Sequence, residues 1–205
     1  MDAVDFKQND PSSNSVAAAK LTQNDGSGNS SAATTASAGK PPPVDCGDLQ
    51  MWIARDGTWC YRGSPIRRPS LVKLFASVLR READGSYWLV TPAERGRIKV
   101  EDTPFLAVAL SVEGEGRDRQ LIFRTNLDEF VTAGPDNPLR VETAANGEPA
   151  PYILVRDGLE ARLARPVFYE LVELATEEQV AKRTHFGVWS KGAFFSLGEP
   201  APERG

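Results

Sequence analysis

Arginine and aromatic side chains recur in two similar stretches of the chain, and they are the residues best suited to binding chemistry. The first stretch contains Arg55, Trp59, Tyr61 and Arg62, and the second contains Arg156, Arg162 and Tyr169. A guanidinium group binds carboxylate or phosphate through paired hydrogen bonds, and an aromatic ring offers a flat stacking surface. We interpret these residues as a candidate cleft for a small anionic molecule or an acidic peptide. The alternative, that the arginines pair with nearby acids and hold the fold together, stays open.

Catalytic and metal chemistry finds less support in the sequence. His185 is the only histidine, which excludes a histidine-rich metal site and a pair of imidazole acid and base groups. No Gly-Xaa-Ser-Xaa-Gly nucleophile turn is present, and Gly114-Glu115-Gly116 is flanked by charges rather than placed between a strand and a helix. We therefore predict no catalytic residue, no metal ligand and no cofactor. An enzyme for a small substrate, with His185 or a carboxylate as its base, is the main alternative.

Composition indicates the compartment and disfavours two classes of partner. The formal net charge of -4 provides no general attraction to nucleic acid or to an anionic membrane surface. No segment approaches the roughly 18 consecutive apolar residues of a membrane span, and the N-terminus lacks the pattern of a secretory signal. Cys46 and Cys60 stand outside any short metal-binding or redox motif, which favours free thiols. We predict a cytoplasmic protein.

The elements that would position these side chains form a repeated pattern. Arg55-Asp56-Gly57 and Arg156-Asp157-Gly158 each lie between two apolar stretches, and Asp-Gly favours a tight hairpin turn. Pro69 and Pro166 follow at positions where proline favours the start of a helix. The first helix is expected to present an apolar stripe and to end near Arg80 and Arg81, and Thr176-Glu177-Glu178-Gln179 is typical of a capping box that starts another short helix.

These patterns predict a strand-rich α+β fold built from two hairpin-helix-hairpin units joined by additional antiparallel strands. The expected boundaries are a disordered N-terminal arm over 1–43, a first unit over 44–101, connecting strands over 102–150, a second unit over 151–198 and a tail over 199–205. The arm is predicted because Ser, Ala, Asn, Gly and Thr dominate it and leave too few apolar side chains to build a core.

Several strings in order resemble those of a bacterial family of domains of unknown function, the family numbered 1285. The strings are Cys46-Gly47-Asp48, Arg55-Asp56-Gly57-Thr58-Trp59 with Tyr61, Gly63, Pro65 and Ile66, Pro104-Phe105-Leu106-Ala107-Val108, Phe123-Arg124-Thr125-Asn126, Gly158-Leu159-Glu160-Ala161-Arg162, and Phe186-Gly187-Val188-Trp189-Ser190 with Gly192, Phe194 and Phe195. The resemblance covers about residues 44–198. It implies repeated structural motifs and a role in ligand sensing or signal transduction, and it assigns no functional residue.

The sequence thus favours a cytosolic binding or regulatory module over an enzyme. Its expected partner is a small anionic ligand or another protein. A third hypothesis is a structural interaction protein whose partner covers exposed Trp and Phe side chains.

Overall fold

The computed structural model describes residues 41–144, 147–180 and 183–198. Within these ranges the chain forms two helices and fifteen strands arranged in three sheets, so the predicted strand-rich α+β class is confirmed. Most of the predicted N-terminal arm, and the predicted tail over 199–205, lie outside the described residues.

The first sheet contains six strands in the order β3-β2-β1-β6-β5-β4. Its strands are β1 (Val44–Ile53), β2 (Trp59–Tyr61), β3 (Ser64–Pro65), β4 (Leu79–Arg81), β5 (Tyr87–Val90) and β6 (Glu94–Val100). Helix α1 (Pro69–Ser77) connects β3 to β4. All neighbouring strands are antiparallel except β1 and β6, which run parallel.

The second sheet also contains six strands, in the order β10-β11-β12-β7-β8-β9. Its strands are β7 (Phe105–Glu113), β8 (Gln120–Thr125), β9 (Phe130–Thr132), β10 (Leu139–Thr143), β11 (Pro149–Arg156) and β12 (Leu159–Leu163). Helix α2 (Arg165–Glu173) follows β12. The predicted connecting strands pair antiparallel, β7 with β8, β8 with β9 and β10 with β11, and in addition β7 pairs in parallel with β12.

Each strand of the first sheet has a counterpart in the second sheet, six strands later in the chain. Each sheet consists of two antiparallel ribbons of three strands. The first strand of one ribbon pairs in parallel with the last strand of the other ribbon. In this correspondence β1 matches β7 and β6 matches β12. The recurring Arg-Asp-Gly strings, however, connect β1 to β2 and β11 to β12, which are not equivalent pairs. The sheets are alike, but the repeated strings do not mark their equivalence.

The second unit shows the predicted order of hairpin, helix and hairpin, but an additional strand joins its last hairpin. The strands β13 (Thr176–Val180), β14 (Arg183–Ser190) and β15 (Ala193–Gly198) form a separate three-stranded sheet instead of returning to the second sheet. The short helix predicted from Thr176-Glu177-Glu178-Gln179 is therefore wrong. These residues pair in register with β14, from Thr176 opposite Gly187 to Gln179 opposite Thr184, and this pairing overrides a local capping signal.

The predicted turns and helix starts are confirmed, with differences in detail. Gly57 alone has a positive φ angle in the first Arg-Asp-Gly turn, whereas both Asp157 and Gly158 do in the second. The same three residue types therefore build two different hairpin turns. Each helix has one proline within its first two positions, Pro69 in α1 and Pro166 in α2, as predicted.

Helix α1 is shorter than expected. It ends at Ser77, so Arg80 and Arg81 lie on strand β4 and not in its last turn. Its buried positions are Val72 and Ala76, whereas Leu74, expected in the apolar stripe, is exposed. One apolar core runs through the described ranges and includes side chains of both helices and all three sheets, such as Ile53, Phe123, Leu171 and Val188.

Candidate functional site

Arg55 and Arg162, predicted from the two separate stretches, converge on one carboxylate. Arg162 Nη1 donates to Asp102 Oδ2 at 2.6 Å, and Arg55 Nε lies 4.0 Å from the same oxygen. The Tyr152 hydroxyl donates to Asp102 Oδ1 at 3.1 Å. Burial, followed by the charge of Asp102, raises the pKa of Tyr152. We call Arg55, Asp102, Tyr152 and Arg162 the Asp102 cluster.

The concavity at the Asp102 cluster, about 430 Å³, is not rich in free positive charge. Three carboxylates line it, those of Asp102, Glu142 and Glu148, against the two guanidinium groups of Arg55 and Arg162. Since the shortest contact of Arg162 is already an ion pair with Asp102, an anion would have to displace a carboxylate to bind there. The geometry indicates that the contacts of the Asp102 cluster help to hold the two sheets together.

Two other predicted site residues pack within the fold. Trp59 is 2% exposed, stacks on Phe75 with ring centroids 6.2 Å apart, and buries an indole Nε1 that has no hydrogen-bond partner. Arg156 donates to both carboxylate oxygens of Glu129 at 3.2 and 3.3 Å, and to the Ala76 carbonyl at 2.9 Å. It therefore ties the second sheet to helix α1.

Tyr169 lies on helix α2, and of the other predicted residues only Arg162 lines the same concavity. Tyr169 is exposed and lines a concavity of about 360 Å³ together with Arg162 and Arg165. Arg165 Nη2 donates to Glu148 Oε1 at 3.1 Å, so both guanidinium groups in this concavity have acidic partners.

Tyr61 and Arg62 lie at the end of strand β2 and the turn after it. Arg62 has a positive φ of 46°, and its guanidinium carbon lies 5.1 Å from the centroid of the exposed Tyr61 ring. Arg62 also lines a concavity of about 480 Å³ on the first sheet, which leads to a set of residues that sequence reasoning missed.

Strand β6 presents a row of cations on the face of the first sheet that points away from the core. Ile98 is buried, and a Cβ atom on Gly96 would lie 2.4 Å from Leu49 Cγ, so these two positions face inward. Because side chains alternate along a strand, Arg95, Arg97 and Lys99 face outward.

Tryptophans and an acid flank this row on the neighbouring strands. Arg97 has Trp88 opposite it on β5 and Asp48 opposite it on β1, and Lys99 has Trp52 opposite it on β1. We call Asp48, Trp52, Trp88, Arg97 and Lys99 the outer groove. It comprises two adjoining concavities of about 710 and 480 Å³ that share Asp48 and Lys99.

Hydrogen bonds and a cation hold the Trp88 ring in place. Its Nε1 donates to Ser86 Oγ at 2.8 Å, and the Ser86 hydroxyl donates to Asp84 Oδ1 at 2.6 Å. The guanidinium carbon of Arg95 lies 3.9 Å from the ring centroid. The hydrogen bonds from Ser86, and to a lesser extent the charge of Arg97, lower the pKa of Asp84.

Arg97 and Lys99 differ from most arginines considered above because no carboxylate of the described residues lies within ion-pair distance of them, although the charge of Arg97 acts on Asp84 from farther away. Within residues 41–144, 147–180 and 183–198, neither forms an ion pair, and neither side chain donates a hydrogen bond. The sequence contained a signal for this row, because Arg95, Arg97 and Lys99 alternate with Gly96, Ile98 and Val100. Sequence alone did not show that this face of the strand is open.

His185 on β14 does not lie at any of the concavities described here. Its Nδ1 is 3.2 Å from Ser196 Oγ. Cys46 and Cys60 are both free thiols, and in the described ranges no three His, Cys, Asp or Glu side chains group as ligands of a metal ion. In the part of the chain that the structure describes, neither helix is long and apolar enough to cross a membrane.

Comparison with known proteins identifies relatives of the whole described region. The DUF1285 N-terminal domain, a domain of unknown function, matches residues 40–103, and the DUF1285 C-terminal domain, from a protein of unknown function, matches residues 104–197. A crystal structure of a DUF1285 family protein from Silicibacter pomeroyi DSS-3 is 46% identical with a TM-score of 0.72, over 80% of this chain and 90% of that chain.

A second crystal structure, of a DUF1285 family protein from Shewanella baltica OS155, is 26% identical with a TM-score of 0.49, over 61% of this chain and 91% of that chain. No curated protein matches the chain. The boundary between the two matched domains falls between β6 and β7, where the first sheet ends and the second begins. These matches confirm the resemblance seen in the sequence, and the chain belongs to the DUF1285 family.

Proposed function

We propose that this protein is a cytoplasmic binding module that holds an anionic ligand in the outer groove. The observation that carries the proposal is the pair of cations, Arg97 and Lys99, that lie side by side on one strand and form no ion pair in the described part of the chain. A regulatory or signalling role would follow if the bound ligand changes how the module contacts another protein.

We favour the outer groove over the predicted cleft because the cations of the groove are not held in ion pairs among the described residues. A guanidinium already paired with a carboxylate offers little net attraction to an incoming anion, because the ligand must replace the existing partner. Arg156 and Arg162 are paired in this way. Of the predicted residues, Arg62 is retained in the proposed site because it lines the outer groove beside Lys99.

The shape of the outer groove agrees with a small-molecule site. Its two concavities, of about 710 and 480 Å³, fall in the range of ligand pockets, roughly 300–1,000 Å³. Its walls combine two tryptophan rings with charged and polar side chains, which can fix the orientation of a ligand.

Calorimetric titration of the full chain with inorganic pyrophosphate, citrate and AMP tests the proposal. We expect at least one of these anions to bind with a dissociation constant below 1 mM, which corresponds to more than about 4 kcal/mol. Arg97→Gln and Lys99→Gln should each weaken that binding about tenfold, or by about 1.4 kcal/mol.

Arg165→Gln is the matched control, because it removes one surface guanidinium outside the outer groove. It should leave the affinity unchanged. Failure of all three anions to bind at millimolar concentration would refute the proposal, and so would equal losses in the groove variants and the control.

A further inference from the structure

The outer groove offers a stacking surface as well as positive charge. Trp52 lines it, and among the described residues no aromatic ring or guanidinium group stacks on the Trp52 indole. Trp88 differs, because Arg95 already covers one face of its ring. Trp52 lies directly opposite Lys99 across the β1–β6 pair, so a ring stacked on the indole would have an ammonium group beside it.

Carboxylates in the outer groove argue against a simple polyanion as the ligand. Asp48 and Glu101 line the same concavity as Trp52, Arg62 and Lys99. Each carboxylate would repel a second negative charge but accepts hydrogen bonds from hydroxyl or amino groups. The groove therefore suits a ligand that carries an anionic group at one end and hydrogen-bond donors at the other.

An extended acidic peptide fits the groove less well than a compact ligand. Peptides that bind sheets usually add to an open edge and gain main-chain hydrogen bonds there. The outer groove instead lies on the face of the sheet over β1, β5 and β6. Strands β5 and β6 have hydrogen-bonded neighbours on both sides, and β1 has β2 beside it over Met51–Ile53. A peptide on this face would rely on side chains alone.

We infer that the outer groove binds a nucleoside phosphate, with the base stacked on Trp52 and the phosphate held by Lys99 and Arg97. The sugar hydroxyls would donate to Asp48. Base stacking on an aromatic side chain is a sequence-tolerant source of affinity, and ionised phosphate forms strong charge-assisted hydrogen bonds with cationic side chains. This inference rests on the proposed function, since it specifies the chemical class of the anion.

Titration of the full chain with AMP, adenosine and inorganic pyrophosphate tests the inference. AMP should bind at least tenfold more tightly than adenosine, which lacks the phosphate, and than pyrophosphate, which lacks the ring. Trp52→Leu should weaken AMP binding at least tenfold and alter pyrophosphate binding less than twofold. Trp52→Phe keeps a ring and should restore AMP affinity to within about threefold of the original protein. Lys99→Gln should weaken both AMP and pyrophosphate.

Each contrary outcome has a separate meaning. If pyrophosphate binds as tightly as AMP and Trp52→Leu changes neither, the anion site stands and the nucleoside phosphate is refuted. If no anion binds, the proposed function itself is refuted. A tetranucleotide of RNA that binds more than tenfold tighter than AMP would overturn the assignment of a free nucleotide in favour of a single strand.

Discussion

Replacing Arg156 with methionine should destabilise the fold by about 2–4 kcal/mol. The substitution keeps most of the apolar stem and removes the guanidinium group, whose central carbon lies 5.4 Å from the Phe105 ring centroid. The lost bond to the Ala76 carbonyl has a charged donor, and such bonds contribute about 1.5–3 kcal/mol. The ion pair with Glu129 adds about 0.5–1 kcal/mol, because its two side chains are 28% and 33% exposed and partly screened by solvent.

Urea unfolding of the full chain, followed by circular dichroism, measures this loss. Arg165→Met is the matched control, because Arg165 also pairs with a glutamate but both side chains are largely exposed, at 68% and 54%. The control should cost less than about 0.5 kcal/mol. Glu129→Gln should fall between the two, because it leaves the Arg156 bond to Ala76 intact. If Arg156→Met costs no more than Arg165→Met, the reasoning that Arg156 braces the second sheet against helix α1 is wrong.

Three further predictions test the packing, the charge network and the thiols. Gly187→Ala should destabilise the fold by about 3 kcal/mol in the same urea assay, because its Cβ would lie 2.3 Å from the Phe195 carbonyl oxygen. The control Gly134→Ala meets only the flexible Lys191 side chain and should cost under about 1 kcal/mol. Hydrogen bonds from Lys73 and Arg124 lower the pKa of Asp128 in the folded protein. The ionised carboxylate therefore stabilises the fold above the pKa of the unfolded chain, about 3.9, and this stabilisation is lost as the pH falls through the lower pKa of the folded protein. Asp128→Asn should therefore show a smaller drop in urea midpoint between pH 5 and pH 3 than the original protein, and equal drops would contradict this. Burial raises the pKa of the Cys60 thiol, whereas Cys46 is exposed. A thiol reagent at pH 8 should therefore label Cys46 rapidly in the native protein and both cysteines in denaturant. Equal labelling rates of the two cysteines in the native protein would contradict this prediction.

Local chemistry was sufficient to predict most strands and turns. The Asp157-Gly158 hairpin and the proline-led helix starts follow from preferences that act over a few residues, and the structure contains both. Arrangement of the strands into sheets depends on distant pairings such as β1 with β6, which no local pattern encodes. The segment from Thr176 shows a different limit, because its capping pattern favours a helix although the segment pairs with β14, the next strand along the chain.

The predicted binding residues show a related limit. The sequence supplied the right residue types, but it did not show which arginines would find a carboxylate across the fold. Arg162 finds Asp102, sixty positions earlier in the chain, and Arg156 finds Glu129 and Ala76. Arg97 has Asp48 opposite it in the sheet register, yet no ion pair forms between them.

The distribution of paired and unpaired cations separates the two roles that arginine has in this fold. Guanidinium groups between the sheets, such as Arg156 and Arg162, are partly buried, where an unpaired charge would be costly, so selection for stability is enough to explain their acidic partners. Arg97 and Lys99 face solvent, where pairing is not required for stability, and their side-by-side placement between two tryptophans has no evident structural benefit. A surface that keeps two like charges adjacent loses a little stability through repulsion. We therefore look for the function of this protein at the cations that the fold does not need, on the outer face of the first sheet.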